Sequence, residues 1–79
     1  MQTMKEIGNE IWMDMGEAAD YIDRTRSLLP DALRRYQEQT GHDIEKVPDG
    51  NKVYVRQKDM NELIKVLYPF LARKKGLVK

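Results

Sequence analysis

The sequence has no cysteine and a single histidine, His42. The first absence removes disulfide staples, thiolate metal sites and cysteine nucleophiles together, and fits a reducing compartment. One histidine cannot build a metal site by itself, so no metal and no cofactor is expected. The longest apolar run is a few residues, far below the ~20 needed to cross a bilayer. The start Met1-Gln2-Thr3-Met4-Lys5-Glu6 lacks the basic-then-apolar order of an export signal, so a cytoplasmic protein without a membrane partner is expected. The carboxylates, the few hydroxyls and His42 form no nucleophile, base and orienting group at a recognisable spacing, and no enzyme activity is expected. His42 falls just past a helix end, where it reads as an exposed loop residue or a cap for terminal carbonyls.

What is present is one small domain. Its 79 residues cannot support two cores, and no repeat, linker or low-complexity tract divides them. The net charge of +1 conceals an uneven distribution: residues 1–23 hold one basic residue (Lys5) against six acidic ones (Glu6, Glu10, Asp14, Glu17, Asp20, Asp23). The other thirteen basic residues all fall in 24–79, with seven acids. Single charges usually lie solvated on a surface; it is the clustering that points toward an anionic partner.

Apolar periodicity sets out the elements. Ile7, Ile11 and Met15 recur every four residues and predict a short N-terminal helix, weakened by Gly8. Met15, Ala18, Ala19 and Ile22 form the inner face of a better helix with Asp14 as its cap. The polar run Asp23-Arg24-Thr25-Arg26-Ser27 interrupts the period and reads as a connection. Pro30, which suits only a first turn, starts the next helix; Leu29, Leu33 and Tyr36 face inward, and Gly41 ends it. Its outer side carries Asp31, Arg34, Arg35 and Glu38. Between Ile44 and Val55 the period shortens around the turn Pro48-Asp49-Gly50-Asn51 and predicts a two-stranded hairpin. Met60, Leu63, Ile64, Leu67, Phe70 and Leu71 make a last helical stripe, broken near Tyr68 by Pro69, which opens a separate turn. Trp12 and Tyr36 are assigned to the core. Tyr54, between two valines, packs on one face of the hairpin or touches a sugar or phosphate.

Four phrases within this order resemble a known group. Glu17-Ala18-Ala19-Asp20-Tyr21-Ile22 resembles the E-A-A-x-Y-L opening of the MerR and excisionase-like winged helix-turn-helix DNA-binding domains. Leu33-Arg34-Arg35-Tyr36 resembles the L-R-R-Y of their second helix, and Asp49-Gly50-Asn51-Lys52-Val53-Tyr54 their N-G-x-R-x-Y wing. Gln57-Lys58-Asp59-Met60-Asn61-Glu62-Leu63 stands where they begin the third helix with T-x-E-D-L, so that Arg56 replaces the usual threonine cap. The segment Asp23 to Leu29 is about four residues longer than their usual G-V-S turn. The resemblance covers about residues 13–68, leaving 1–12 and 69–79 as flanks. The MerR branch follows this unit with a dimerisation coiled coil and an effector domain, neither contained in these residues.

The resemblance implies a mainly α fold with a small β-hairpin, three core helices plus a wing, and double-stranded DNA binding. The implied setting is a bacterial, phage or plasmid transcription regulator, or a partition or excision accessory factor, associated with nucleoid or plasmid. In that frame helix 30–40 enters the major groove and hairpin 44–55 lies on the backbone or minor groove. An arginine guanidinium can donate two parallel bonds to guanine O6 and N7. Adjacent helix positions diverge by about 100°, so one of Arg34 and Arg35 reads a base edge and the other holds a phosphate. The competing reading pairs them with Asp31 or Glu38 as surface ion pairs. Asp31 interacts with the helix dipole or accepts from cytosine N4. Lys46, Lys52 and Arg56 on the hairpin, with Arg24 and Arg26 on the long turn, complete the candidate phosphate contacts. A different class of function is a protein-interaction module, dimerising or docking a partner through Phe70, Leu71, Leu77 and Val78, with weak or non-specific DNA binding.

Overall fold

The computed structural model describes the backbone of residues 5–7 and all of residues 10–77. Gly8 and Val78, to which the sequence reading gave roles, lie outside the described residues, as do Met1 to Met4 of the leader comparison. The chain runs β1 (Lys5–Ile7), β2 (Glu10–Asp14), α1 (Met15–Tyr21), a 3-10 turn (Arg26–Leu28), α2 (Leu29–Thr40), β3 (Val47–Asp49), β4 (Lys52–Arg56), α3 (Gln57–Leu67) and α4 (Pro69–Lys74). The strands form one antiparallel sheet in the order β1-β2-β4-β3.

The expected N-terminal helix is therefore replaced by two strands. The four-residue recurrence of Ile7, Ile11 and Met15 is real, but the segment gains more by pairing. Trp12, Met13 and Asp14 stand opposite Arg56, Val55 and Tyr54, which satisfies backbone groups that a short helix containing Gly8 would leave at its ends. The strand alternation then separates two faces. Met13 and Val55 point into the core, 1% and 0% exposed. Trp12 and Tyr54 lie on the other face, buried beneath it and outside the main core cluster. Trp12 is thus covered as expected, but not in the helical core.

The hairpin is likewise shorter at its start than the sequence suggests. Ile44 is buried in the core ahead of β3, and only Val47 to Asp49 pair with β4. A two-residue turn joins Asp49 to Lys52, with Gly50 at φ 65° in the left-handed region that a tight hairpin reserves for glycine. Because β4 also pairs with β2, the hairpin is one side of a four-stranded sheet, where a free two-stranded wing was expected.

The helices follow the sequence closely. Asp14 caps α1 through a reciprocal box: its Oδ1 accepts from the Glu17 amide at 2.8 Å, and Glu17 Oε1 accepts from the Asp14 amide at 3.0 Å. Leu29, Ala32, Leu33 and Tyr36 are the buried face of α2, and Gly41 ends it at φ 75°. Met60, Leu63 and Ile64 of α3 are completely buried. The stripe does not continue as one helix: α3 stops at Leu67, Pro69 opens α4, and the phase shifts so that Ala72 faces inward. Phe70 is turned outward, 85% exposed. Among the described residues no helix is long and apolar enough to cross a membrane.

Candidate nucleic-acid interface

Two shallow clefts lie side by side on the face made by the start of α1, the first half of α2 and the hairpin. One, of about 340 Å³, is lined by Met15, Pro30, Leu33, Arg34 and Lys46 among others. Its neighbour, of about 230 Å³, is lined by Asp14, Met15, Gly16, Arg26 and Lys52 among others. Met15 lines both, so the two adjoin. Four of the basic residues expected to meet DNA (Arg26, Arg34, Lys46 and Lys52) are therefore gathered on one surface from four separate segments.

The local structure explains each position. Asp23 sits at φ 61° beyond the end of α1, with the Arg24 amide donating to the Ala19 carbonyl at 2.9 Å, a left-handed helix stop. The remaining residues of the long connection wind into the 3-10 turn Arg26–Leu28, which runs straight into Leu29. That turn carries Arg26 to the hairpin side, where it shares a cleft with Lys52. Lys52 points out from the outer face of the sheet and reaches Asp14 Oδ2 at 3.4 Å. Lys46 is exposed just before β3.

On α2, Arg34 is paired with Asp31 one turn back and approaches Glu38 at 3.8 Å one turn ahead. All three side chains are largely exposed, and the Asp31 hydrogen bond, first among the causes, raises the already high pKa of Arg34. Asp31 thus serves as a partner for Arg34, a role the sequence reading gave as the competing one. Arg35 is exposed and has no ion-pair partner among the described residues.

Two expected contacts lie elsewhere. Arg24 stacks on the Tyr68 ring at 4.4 Å and donates from Nη1 to the Asp23 carbonyl at 2.9 Å, at the far end of α1. Arg56 is held on the outer face of the sheet, beside Trp12. Its Nε donates to Glu10 at 2.7 Å, another guanidinium nitrogen lies 2.7 Å from Glu45, and Asp59 is 3.7 Å away. The guanidinium also lies 4.5 Å from the Trp12 ring centre. The hydrogen bond from Arg56 holds the Glu10 carboxyl below the ordinary range, against a smaller opposing effect of burial. Arg56 is consequently committed to closing the sheet's outer face. The sequence signal for this was the acid at Glu10, two residues before the only tryptophan, but nothing local showed that β2 and β4 would be neighbours.

The outer-face pairs Lys52–Asp14 and Arg56–Glu10 flank the buried Trp12 and Tyr54 between them. Asp14 is held below the ordinary carboxyl range, first by the Glu17 amide and then, opposed by burial, by Lys52. Among the described residues no group of three or more His, Cys, Asp or Glu side chains is placed to hold a metal ion. No protein-family model, curated protein or solved structure matches the chain.

Proposed function

We propose that the protein binds double-stranded DNA as a winged helix-turn-helix, with α2 laid in the major groove and the β3–β4 turn against the phosphate backbone. The observation that carries this reading is the pair of clefts meeting at Met15, which bring Arg26, Arg34, Lys46 and Lys52 to one surface. The helix of twelve residues is about 18 Å long and exposes its charged side. The succession α1, α2, β3–β4 hairpin, α3 supports the reading, with β2 added beside the hairpin. The role that follows is a transcription regulator, or an excision or partition accessory factor.

The ion pairs already on this face do not oppose binding strongly. The Lys52–Asp14 pair is reached by solvent from the half-exposed lysine, and pairs of that kind contribute little, so a phosphate replaces Asp14 at Lys52 at small cost, while Arg34 keeps its exposed acids Asp31 and Glu38 beside it. If Arg26, Arg35, Lys46 and Lys52 each neutralise a phosphate, log K falls with log salt at a slope of roughly −3 to −4.

The test is selection of duplexes from a random library, followed by anisotropy on the selected and a scrambled duplex at several salt concentrations. Lys52→Ala should weaken both duplexes and reduce the slope by about one. Arg34→Ala should weaken the selected duplex more than the scrambled one, by about 5- to 150-fold if the guanidinium reads a guanine. Absence of duplex binding at low salt ends the proposal, and equal losses on both duplexes from every substitution end its base-reading part.

A further inference from the structure

The far end of α1 carries a second surface with different chemistry. A groove of about 450 Å³ opens between the Asp23–Arg24 corner and the junction of α3 with α4, with Leu67, Tyr68, Pro69 and Leu71 in its wall. Phe70 stands at its edge, 85% exposed. This is a consequence of Pro69: it restarts the helix out of phase, so the one phenylalanine of the chain is presented to solvent while Ala72 fills the core. Burying a phenylalanine side chain is among the larger apolar contributions a residue can make, and here that contribution is left for an outside partner.

The charge around the groove is one-sided. Arg24 and Lys74 line it, and Arg73 lies 5.8 Å from the Phe70 ring centre. Against these three cations stands Asp23 in the groove, with Asp20 in the hollow beside it. We infer that this groove docks an acidic segment of a partner protein, anchored by a large apolar side chain packed against Phe70, Leu67 and Leu71.

Charge complementarity selects this occupant over the two others an apolar groove invites. A second copy docked groove to groove would bring two basic rims together, with like charges facing across the contact. A single-stranded nucleic acid would need several open aromatic faces for its bases, but Arg24 already covers the Tyr68 ring, which leaves Phe70 as the one open aromatic ring of the groove. The volume suits one or two apolar side chains, within the usual range for a binding pocket. The groove and the DNA face lie at opposite ends of α1, a seven-residue helix about 10 Å long, so the inference does not rest on DNA binding.

The test is selection of displayed random 16-residue peptides on the full chain, with the Phe70→Ala chain as counter-selection. Peptides enriched on the unaltered chain should combine Asp or Glu with Phe, Leu or Trp. A synthetic copy of the leading peptide should bind about ten-fold or more weakly to Phe70→Ala. It should also weaken with Lys74→Glu and with added salt, while the melting temperature of both variants stays near that of the parent. No enrichment over the Phe70→Ala chain, or enrichment of peptides without acids, overturns the inference. So does a dimer in sedimentation, or binding of a twelve-residue oligo(dT), that is abolished by Phe70→Ala.

Discussion

Replacing Asp14 separates the chemistry of a helix cap from that of a surface charge. Its carboxylate accepts from the Glu17 amide at 2.8 Å, its own amide is held by the Glu17 carboxylate at 3.0 Å, and its second oxygen is 3.4 Å from Lys52 Nζ. Loss of an N-cap costs about 0.5–2 kcal/mol, and an ion pair with a half-exposed lysine adds about 0–1 kcal/mol. Asp14→Ala should therefore destabilise the protein by about 0.5–3 kcal/mol, lowering Tm by about 4–8 °C per kcal/mol for a domain of this size. Asp14→Asn keeps a good cap and loses only the charge, so it should stay within about 0.5 kcal/mol of the parent at pH 7.

The pH dependence gives the sharper comparison. The folded-state pKa of Asp14 is depressed, so its stabilisation is fully present above the unfolded value of about 3.9 and is lost as pH falls through the lower folded value. Asp14→Asn has no such loss. Its stability relative to the parent should rise as pH is lowered from 7 to 2.5, while the deficit of Asp14→Ala narrows. Urea unfolding followed by the single, buried Trp12 measures both. Asp14→Ala within about 0.3 kcal/mol of the parent at pH 7, against the cap cost expected above, or a deficit that does not change with pH, would refute the reasoning.

Four further outcomes follow from particular contacts. Leu63→Ala, at a completely buried position, should cost about 2–5 kcal/mol; a thermal melt showing a loss below about 1 kcal/mol would contradict the packing of α3. Asp23→Gly should stabilise by up to about 1 kcal/mol, because Asp23 holds φ 61° where a side chain is penalised and glycine is not; a lower urea midpoint than the parent's would count against it. Glu10→Gln should flatten the acid limb of stability: the depressed folded pKa of Glu10 stabilises fully above about 4.3 and is lost as pH drops through it, and an unchanged slope between pH 5 and 2 is the contrary result. Asp31→Ala releases Arg34 and removes an acid, so anisotropy should show tighter binding to scrambled duplex with less preference for the selected one; equal gains on both would show that Asp31 competes for Arg34 without positioning it.

The parts legible in the sequence are those whose determinants are local. Asp14 as cap, Pro30 and Gly41 as the limits of α2, and Leu29, Leu33 and Tyr36 as its inner face each depend on residues within a few turns. The N-terminal strands depend instead on β4, some forty residues away in sequence, and the four-residue spacing of Ile7, Ile11 and Met15 imitates a helix until that partner is known. The same distance hides the Arg56–Glu10 pair, so an arginine that reads as a phosphate contact closes the sheet's outer face. Phe70 fails for a different reason. Pro69 marked the break, but a stripe carried through the break keeps the old phase, and the restart moves Phe70 outward.

The long connection between α1 and α2 decides how the candidate DNA face is used. The connection is more than a plain loop: Asp23 stops α1, and Arg26 to Leu28 wind into a 3-10 turn continuous with α2. Arg24 and Arg26, two positions apart, thereby go to opposite ends of α1, one against Tyr68 and the other beside Lys52. The connection thus adds a cation next to the hairpin, where, on the proposed reading, contacts to phosphate would position the protein without reading sequence. On the proposed DNA-binding reading, base reading would fall to the outer side of α2. There Arg34 is held along the helix by Asp31 and Glu38, and a guanidinium fixed in this way loses less freedom on forming two parallel bonds to guanine than an untethered one. Arg35, about 100° further round and without an acid partner among the described residues, is suited to a phosphate. On this proposed division the acids of α2 would set the direction of a base-reading arginine, and the α1–α2 connection would strengthen the backbone grip that holds it over the site.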